Sequence, residues 1–70
     1  MNNMTNQQTE KYFKLMQKEY AITVVYDEGY WHGLLSDLGI SAKEEELATL
    51  FFTLYDLRSI YCLQQVGIDV

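Results

Sequence analysis

The sequence predicts a mainly α fold, a small domain of three helices at about 6–20, 28–38 and 42–66. Three observations carry that expectation. No proline interrupts the 70 residues, and proline is the strongest helix breaker. Ser41 and Glu44 have the S-x-x-E spacing of a capping box, ahead of a run without glycine until Gly67. Gly39 and Gly67 each follow an apolar run, where a left-handed residue commonly closes a helix. Residues 1–8 read as a flexible N-terminus and 9–70 as a single helical domain.

Each element has its own grounds. Thr9, or Thr5 before it, supplies an N-cap for the first helix. Phe13, Met16 and Tyr20 then recur at helical spacing, with Lys11, Lys14 and Lys18 on the other side. Residues 20–26 are ambiguous. Ile22, Thr23, Val24 and Val25 are β-branched, which favours a short strand with Tyr20, Ile22, Val24 and Tyr26 on one face. A strand must pair its backbone groups, and the other strand-like piece is the tail, 66–70. Pairing with that tail, or between two subunits through 20–26, competes with a helix or irregular connector, which is the favoured reading.

Asp27-Glu28-Gly29 reads as a helix start, with acids at the positive end of the dipole. Tyr30, Trp31, Leu34, Leu35 and Leu38 follow at helical spacing up to Gly39. In the third helix Glu44, Glu45 and Glu46 crowd the first turns. Leu47, Leu50, Leu54, Leu57 and Tyr61 then form one apolar seam, and Ala48, Phe52, Tyr55, Ser59, Cys62 and Val66 a second. Some 25 residues make a helix of about 37 Å, longer than the roughly 28 Å diameter of a compact chain of this size. The helix should therefore overhang its core.

An overhanging helix with two seams predicts self-association, through Leu47, Leu50, Leu54, Tyr55, Leu57 and Tyr61. The energetics agree. Apolar burial is worth on the order of 110 kcal/mol for a chain of 8.2 kDa. Ordering its residues costs on the order of 105 kcal/mol. A chain so nearly balanced gains from a second copy or a partner.

Charge narrows the function. Ten acidic residues oppose five basic ones, for a net charge of −5. Lys11, Lys14 and Lys18 outnumber Glu10 and Glu19 early in the chain, so the acidity is concentrated after residue 20. Nucleic-acid binding needs a basic footprint on the phosphates, and anionic membrane surfaces repel the same sign. An acidic surface instead attracts a basic one. No apolar run is long enough to span a membrane, and no basic segment followed by an apolar one opens the chain. The expected location is cytoplasmic.

Chemistry-bearing residues are few. His32 is the single histidine, with Ser36 four residues on and nothing to activate the pair. One histidine and one cysteine, Cys62, make no zinc site. The acids around Gly29 lack EF-hand spacing, and the four glycines are isolated rather than gathered in a phosphate loop. No catalytic residue, metal or cofactor is expected. Six tyrosines and one tryptophan are the remaining signal, because such side chains dominate interface hot spots.

The functional expectation is a small acidic, non-catalytic module that blocks a basic, nucleic-acid-binding surface of a larger protein. Asp27, Glu28, Glu44, Glu45, Glu46 and Asp56 would stand in for phosphates, and Tyr30 and Trp31 would anchor. In composition alone the chain is similar to inhibitors encoded by phages and mobile elements, anti-CRISPR proteins and other DNA mimics among them. The alternative is a structural homodimer or accessory subunit that packs through its apolar third helix.

Overall fold

The computed structural model describes residues 4–69, and a sheet stands in it where the second helix was expected. The order is α1 (Asn6–Gln17), β1 (Thr23–Asp27), β2 (Tyr30–Leu35), a 3-10 turn (Ser36–Leu38), β3 (Ile40–Glu44) and α2 (Leu47–Gln65). The strands form one antiparallel sheet in the order β1-β2-β3. The protein is a mixed α/β fold, so the mainly helical, three-helix reading is corrected.

The hairpin between β1 and β2 explains most of that correction. Asp27 pairs with Tyr30, leaving a loop of Glu28 and Gly29. Both have positive φ, 51° and 83°, as a type I′ turn requires, and that turn matches the twist of the flanking strands. What reads as a helix start is a hairpin. It gives the β-branched stretch the partner that residue-by-residue reading had not found. Thr23–Asp27 pairs with Tyr30–Leu35, rather than with the tail or continuing as a connector. A glutamate in the left-handed region costs about 1–2 kcal/mol. Glu28→Asn is therefore expected to raise the stability of the dilute chain by roughly 0.5–1 kcal/mol, read from its urea midpoint. An unchanged or lower midpoint would contradict the turn.

A four-residue connection links β2 to β3, with Leu35 opposite Ile40. Gly39 takes φ 66° there, and its N–H donates to the Ser36 carbonyl at 3.3 Å. Gly39 thus closes a single 3-10 turn, not a long helix. Ser41 lies within β3 and pairs with Leu34, so the Ser41–Glu44 capping box does not form. The start of the predicted 42–66 helix is strand, and α2 begins only after its N-cap, Glu46.

Alternation sorts the strand side chains. Val24, Gly33 and Ala42 stand in one row across the sheet, and Tyr26, Trp31 and Glu44 in another. This face meets α2. Leu35, Leu50 and Leu54 form the core cluster, with Tyr20, Val24, Trp31, Leu38, Ile40 and Ala42 packed around it. The opposite face, with Thr23, Val25, His32, Leu34, Ser41 and Lys43, has no layer over it among the described residues and carries a shallow depression of about 550 Å³.

The long helix is shorter than the expected length of about 37 Å and overhangs only the sheet, and α1 covers the part beyond it. α2 has 19 residues, about 28 Å, against strands of five or six. α1 packs on the C-terminal part of α2. Tyr12 and Ser59 share a hydrogen bond of 2.7 Å, and Gln8 Nε2 donates to the Val66 carbonyl at 2.9 Å. Cys62 and Val66 are buried there, and the molecule stretches to 44 × 24 × 17 Å.

The N-cap of α1 is Thr5 in a capping box with Gln8, while the Thr9 hydroxyl donates to the Thr5 carbonyl. Of the segment 1–8 read as flexible, residues 1–3 lie outside the described residues, and Thr5–Gln8 cap and open α1. Gly67 closes α2 at φ 87°. Ile68 N–H donates to the Leu63 carbonyl and Gly67 N–H to the Gln64 carbonyl, the paired bonds of a Schellman motif.

Candidate functional site

Antiparallel pairing returns the chain twice to the same end of the sheet. The β1–β2 turn carries Asp27 and Glu28 there, and β3 comes back beside it, with Glu44 opposite Trp31. Glu45 and Glu46 follow at the start of α2. Five carboxylates from two separate segments thus share one end of the molecule, with Lys43 as the cation among them. On separate helices they had no reason to meet.

Aromatic rings are set into this end. Tyr26 and Trp31 are cross-strand neighbours, their ring centroids 4.9 Å apart and tilted by 57°. The Lys43 ammonium sits 4.6 Å from the Tyr30 ring centroid, within cation–π range. Tyr30, Lys43, Glu44, Glu45, Glu46 and Thr49 line a depression of about 480 Å³. Glu44 Oε1 accepts a 3.3 Å hydrogen bond from Thr53 Oγ1, which ties the end of β3 to α2. Glu45 and Glu46 are exposed, and near the first turn of α2 they also face the positive end of its dipole. Trp31 is half-buried against the core cluster and serves both core and surface.

Asp56 is apart from this group. It is exposed on α2, ten residues beyond Glu46 and roughly 15 Å along the helix. The residues expected to mediate self-association divide. Leu50 and Leu54, 0% and 3% exposed, are consumed by the sheet, and Leu47 and Tyr55 are exposed. Leu57 and Tyr61 are half-buried.

A second feature escaped sequence reading because it joins residues far apart in the chain. Tyr20, Ile22, Phe51, Tyr55 and Arg58 border an open apolar groove of about 320 Å³ between the start of β1 and α2. The Arg58 guanidinium lies 5.3 Å from the Tyr20 ring centroid and the Lys18 ammonium 5.9 Å from it. Arg58 Nε is buried, with no hydrogen-bond partner among the described residues.

Among the described residues, no three His, Cys, Asp or Glu side chains converge to hold a metal ion, so the acidic end is a dispersed surface, not a chelate. His32 is mid-strand, paired with Val25 on one side and Lys43 on the other. In extended chain Ser36 stands roughly 13 Å from it, so the i+4 contact a helix would have made is absent. Burial pushes the Cys62 thiol up, and the positive charge of Arg58 offsets this only in part. Such a thiol is a poor nucleophile. No helix among the described residues is long and apolar enough to cross a membrane.

No known protein family, curated protein or solved structure matches this chain.

Proposed function

We propose that this chain is a non-catalytic protein-binding module that engages a basic surface of a larger protein through the acidic, aromatic end of its sheet and occludes that surface. One observation carries the reading. The antiparallel meander gathers Asp27, Glu28, Glu44, Glu45 and Glu46 beside Tyr26, Tyr30 and Trp31. The reading places the chain in the cytoplasm, where the lone Cys62 stays reduced.

The two side-chain classes have different work. Exposed charge pairs are worth about 0–1 kcal/mol each, so the carboxylates chiefly steer encounter. A desolvated aromatic contributes about 2 kcal/mol or more and sets the lifetime of the complex. Tyr30, half-exposed beside Lys43, is the cleaner anchor to test, because Trp31 also supports the core.

The experiment is affinity capture from the native host, followed by binding kinetics on the captured protein. Replacing Glu44, Glu45 and Glu46 by glutamine is expected to slow association roughly tenfold at low salt and flatten its salt dependence. Tyr30→Ala is expected to speed dissociation, and Leu34→Ala, on the same face of the sheet but roughly 13 Å along β2 from the acidic end, to change neither rate. Unchanged association and salt slope in the triple variant would sink the reading.

A further inference from the structure

We propose that two copies of this chain pair through the outer edges of their β1 strands, forming a continuous six-stranded antiparallel sheet centred on Val25, with the acidic hairpin tip of each copy beside the Lys18–Arg58 pair of the other. It shares Tyr26, Asp27 and Glu28 with the partner-binding reading and leaves Tyr30, Glu44, Glu45 and Glu46 free, so the Val25 test and the Glu44–Glu46 test can fail separately. It differs from packing through the Leu50–Leu54 seam, which the sheet already covers.

β1 is an edge strand in the order β1-β2-β3. Exposed edges are usually blunted by lysine, proline or a bulge. Thr23-Val24-Val25-Tyr26-Asp27 has neither lysine nor proline, and it pairs with β2 in unbroken register. Its free backbone groups follow from the turn. In a two-residue hairpin the closing pair, Asp27 and Tyr30, exchanges both hydrogen bonds. Residues 23, 25 and 27 thus turn their polar groups to β2, and Val24 and Tyr26 turn theirs outward.

Those outward groups select a register. With Val25 on the two-fold axis, Val24 of one copy faces Tyr26 of the other, and each such pair exchanges two hydrogen bonds. All five residues of β1 are then paired. Asp27 falls opposite Thr23 rather than opposite the other Asp27, so no like charges meet across the strands. Glu28 falls opposite Ile22, a residue of the groove that holds Arg58. An acidic turn is brought to a basic spot, the Lys18 ammonium and Arg58 guanidinium against the Tyr20 ring. This is also a rationale for a glutamate held at φ 51°, where asparagine or glycine costs less.

The apolar surface fits the same arrangement. α2 packs chiefly on β2 and β3, so the side of β1 that faces α2 is only partly covered. A two-fold axis normal to the sheet puts both α2 helices on one face, with a gap above the paired β1 strands. Strands about 4.8 Å apart set the helices roughly 15–19 Å apart, beyond the 8–10 Å of direct helix packing. Phe51 and Tyr55 of each copy border that gap, beside Ile22. Val25, 53% exposed, is covered by the Val25 of the other copy, and Tyr26, 58% exposed, lies beside the other copy's Val24. With Ile22 and the backbone of β1, each copy contributes on the order of 350 Å², a total in the range of weak, reversible interfaces.

The test uses the full chain. Val25→Cys sets two thiols in a non-hydrogen-bonded pair with Cα atoms about 4.5 Å apart, within disulfide reach. Under mild oxidation it is expected to cross-link into a dimer of twice 8.2 kDa. Phe52→Cys, 73% exposed on α2, is the control and is expected to stay largely uncrosslinked. Sedimentation equilibrium is expected to show a dimer of the unaltered chain at tens of micromolar and a folded monomer for Val25→Lys, which sets like charges across the axis. Arg58→Glu should raise the dimer dissociation constant roughly tenfold, and adding Glu28→Arg should restore most of it. A monomeric unaltered chain at 100 µM, or equal cross-linking of the two cysteine variants, overturns the proposal. The cross-linking result decides it even if Val25→Lys fails to fold.

Discussion

Leu50→Ala is expected to lower the unfolding free energy by about 2–5 kcal/mol. Leu50 is 0% exposed, and among the described residues it shares full side-chain burial with Cys62 alone. It stands where α2 crosses the sheet, against Leu35 and Leu54. Deleting such a leucine costs about 2–5 kcal/mol, more where the surroundings cannot collapse into the space. A fold of this length is worth on the order of 4–10 kcal/mol in all. The loss is thus a fifth of the total or more, and among the described residues no second apolar layer on the outer face of the sheet shares the load. Urea unfolding followed by tryptophan fluorescence measures it directly, since Trp31 packs on the same cluster. A loss below about 1 kcal/mol would mean that α2 is not seated on the sheet as described.

Gly33→Val is the second large effect, and here two terms compete. A valine in mid-strand gains up to about 1 kcal/mol over glycine in strand preference. Space decides against it. A Cβ at Gly33 would stand 2.6 Å from Leu54 Cδ1 and 3.2 Å from both Leu50 Cδ atoms. The obstructing atoms are side-chain ends, but both leucines are buried and have little room to turn. Overpacking of this kind costs about 1–3 kcal/mol for extra methylenes, and more for a branched side chain. We therefore expect a net loss of about 2 kcal/mol or more. A double-mutant cycle isolates the cause. Gly33→Ala should cost clearly less in a Leu54→Ala background than alone, because the truncation vacates the space the new Cβ needs. Equal costs in both backgrounds would show that Gly33 is kept for some reason other than the close approach of α2.

Gly33 also shows why the middle of the chain was misread. Tyr30, Trp31, Leu34, Leu35 and Leu38 suit a helical stripe, but Trp31, Gly33 and Leu35 are equally the inward positions of a strand. A glycine in mid-helix costs about 1 kcal/mol, and that was the local sign against the helix. The other was Glu28-Gly29, two residues between runs rich in β-branched and aromatic side chains, the spacing of a tight hairpin. The candidate site was legible as a set of residues and not as a place. Asp27, Glu28, Glu44, Glu45 and Glu46 stood out by charge, and Tyr30 and Trp31 by type. Their assembly needed the return of β3, and Asp56, selected on the same grounds, remained apart.

Local chemistry by itself determined the ends and the long helical run. Thr5 with Gln8 caps α1 through bonds three residues apart, and Gly67 closes α2 through bonds that span at most five residues. The unbroken apolar run from Leu47 carries α2. Such interactions lie within one turn of the chain, so the residues that make them are visible in a short window. Tertiary structure alone decided that 23–27, 30–35 and 40–44 are strands, that α1 lies on α2 and leaves the sheet, and that the acids share one end. A strand takes its stability from neighbours across the ladder and from the layer that covers one face. No window shorter than the hairpin holds both partners of such a pair.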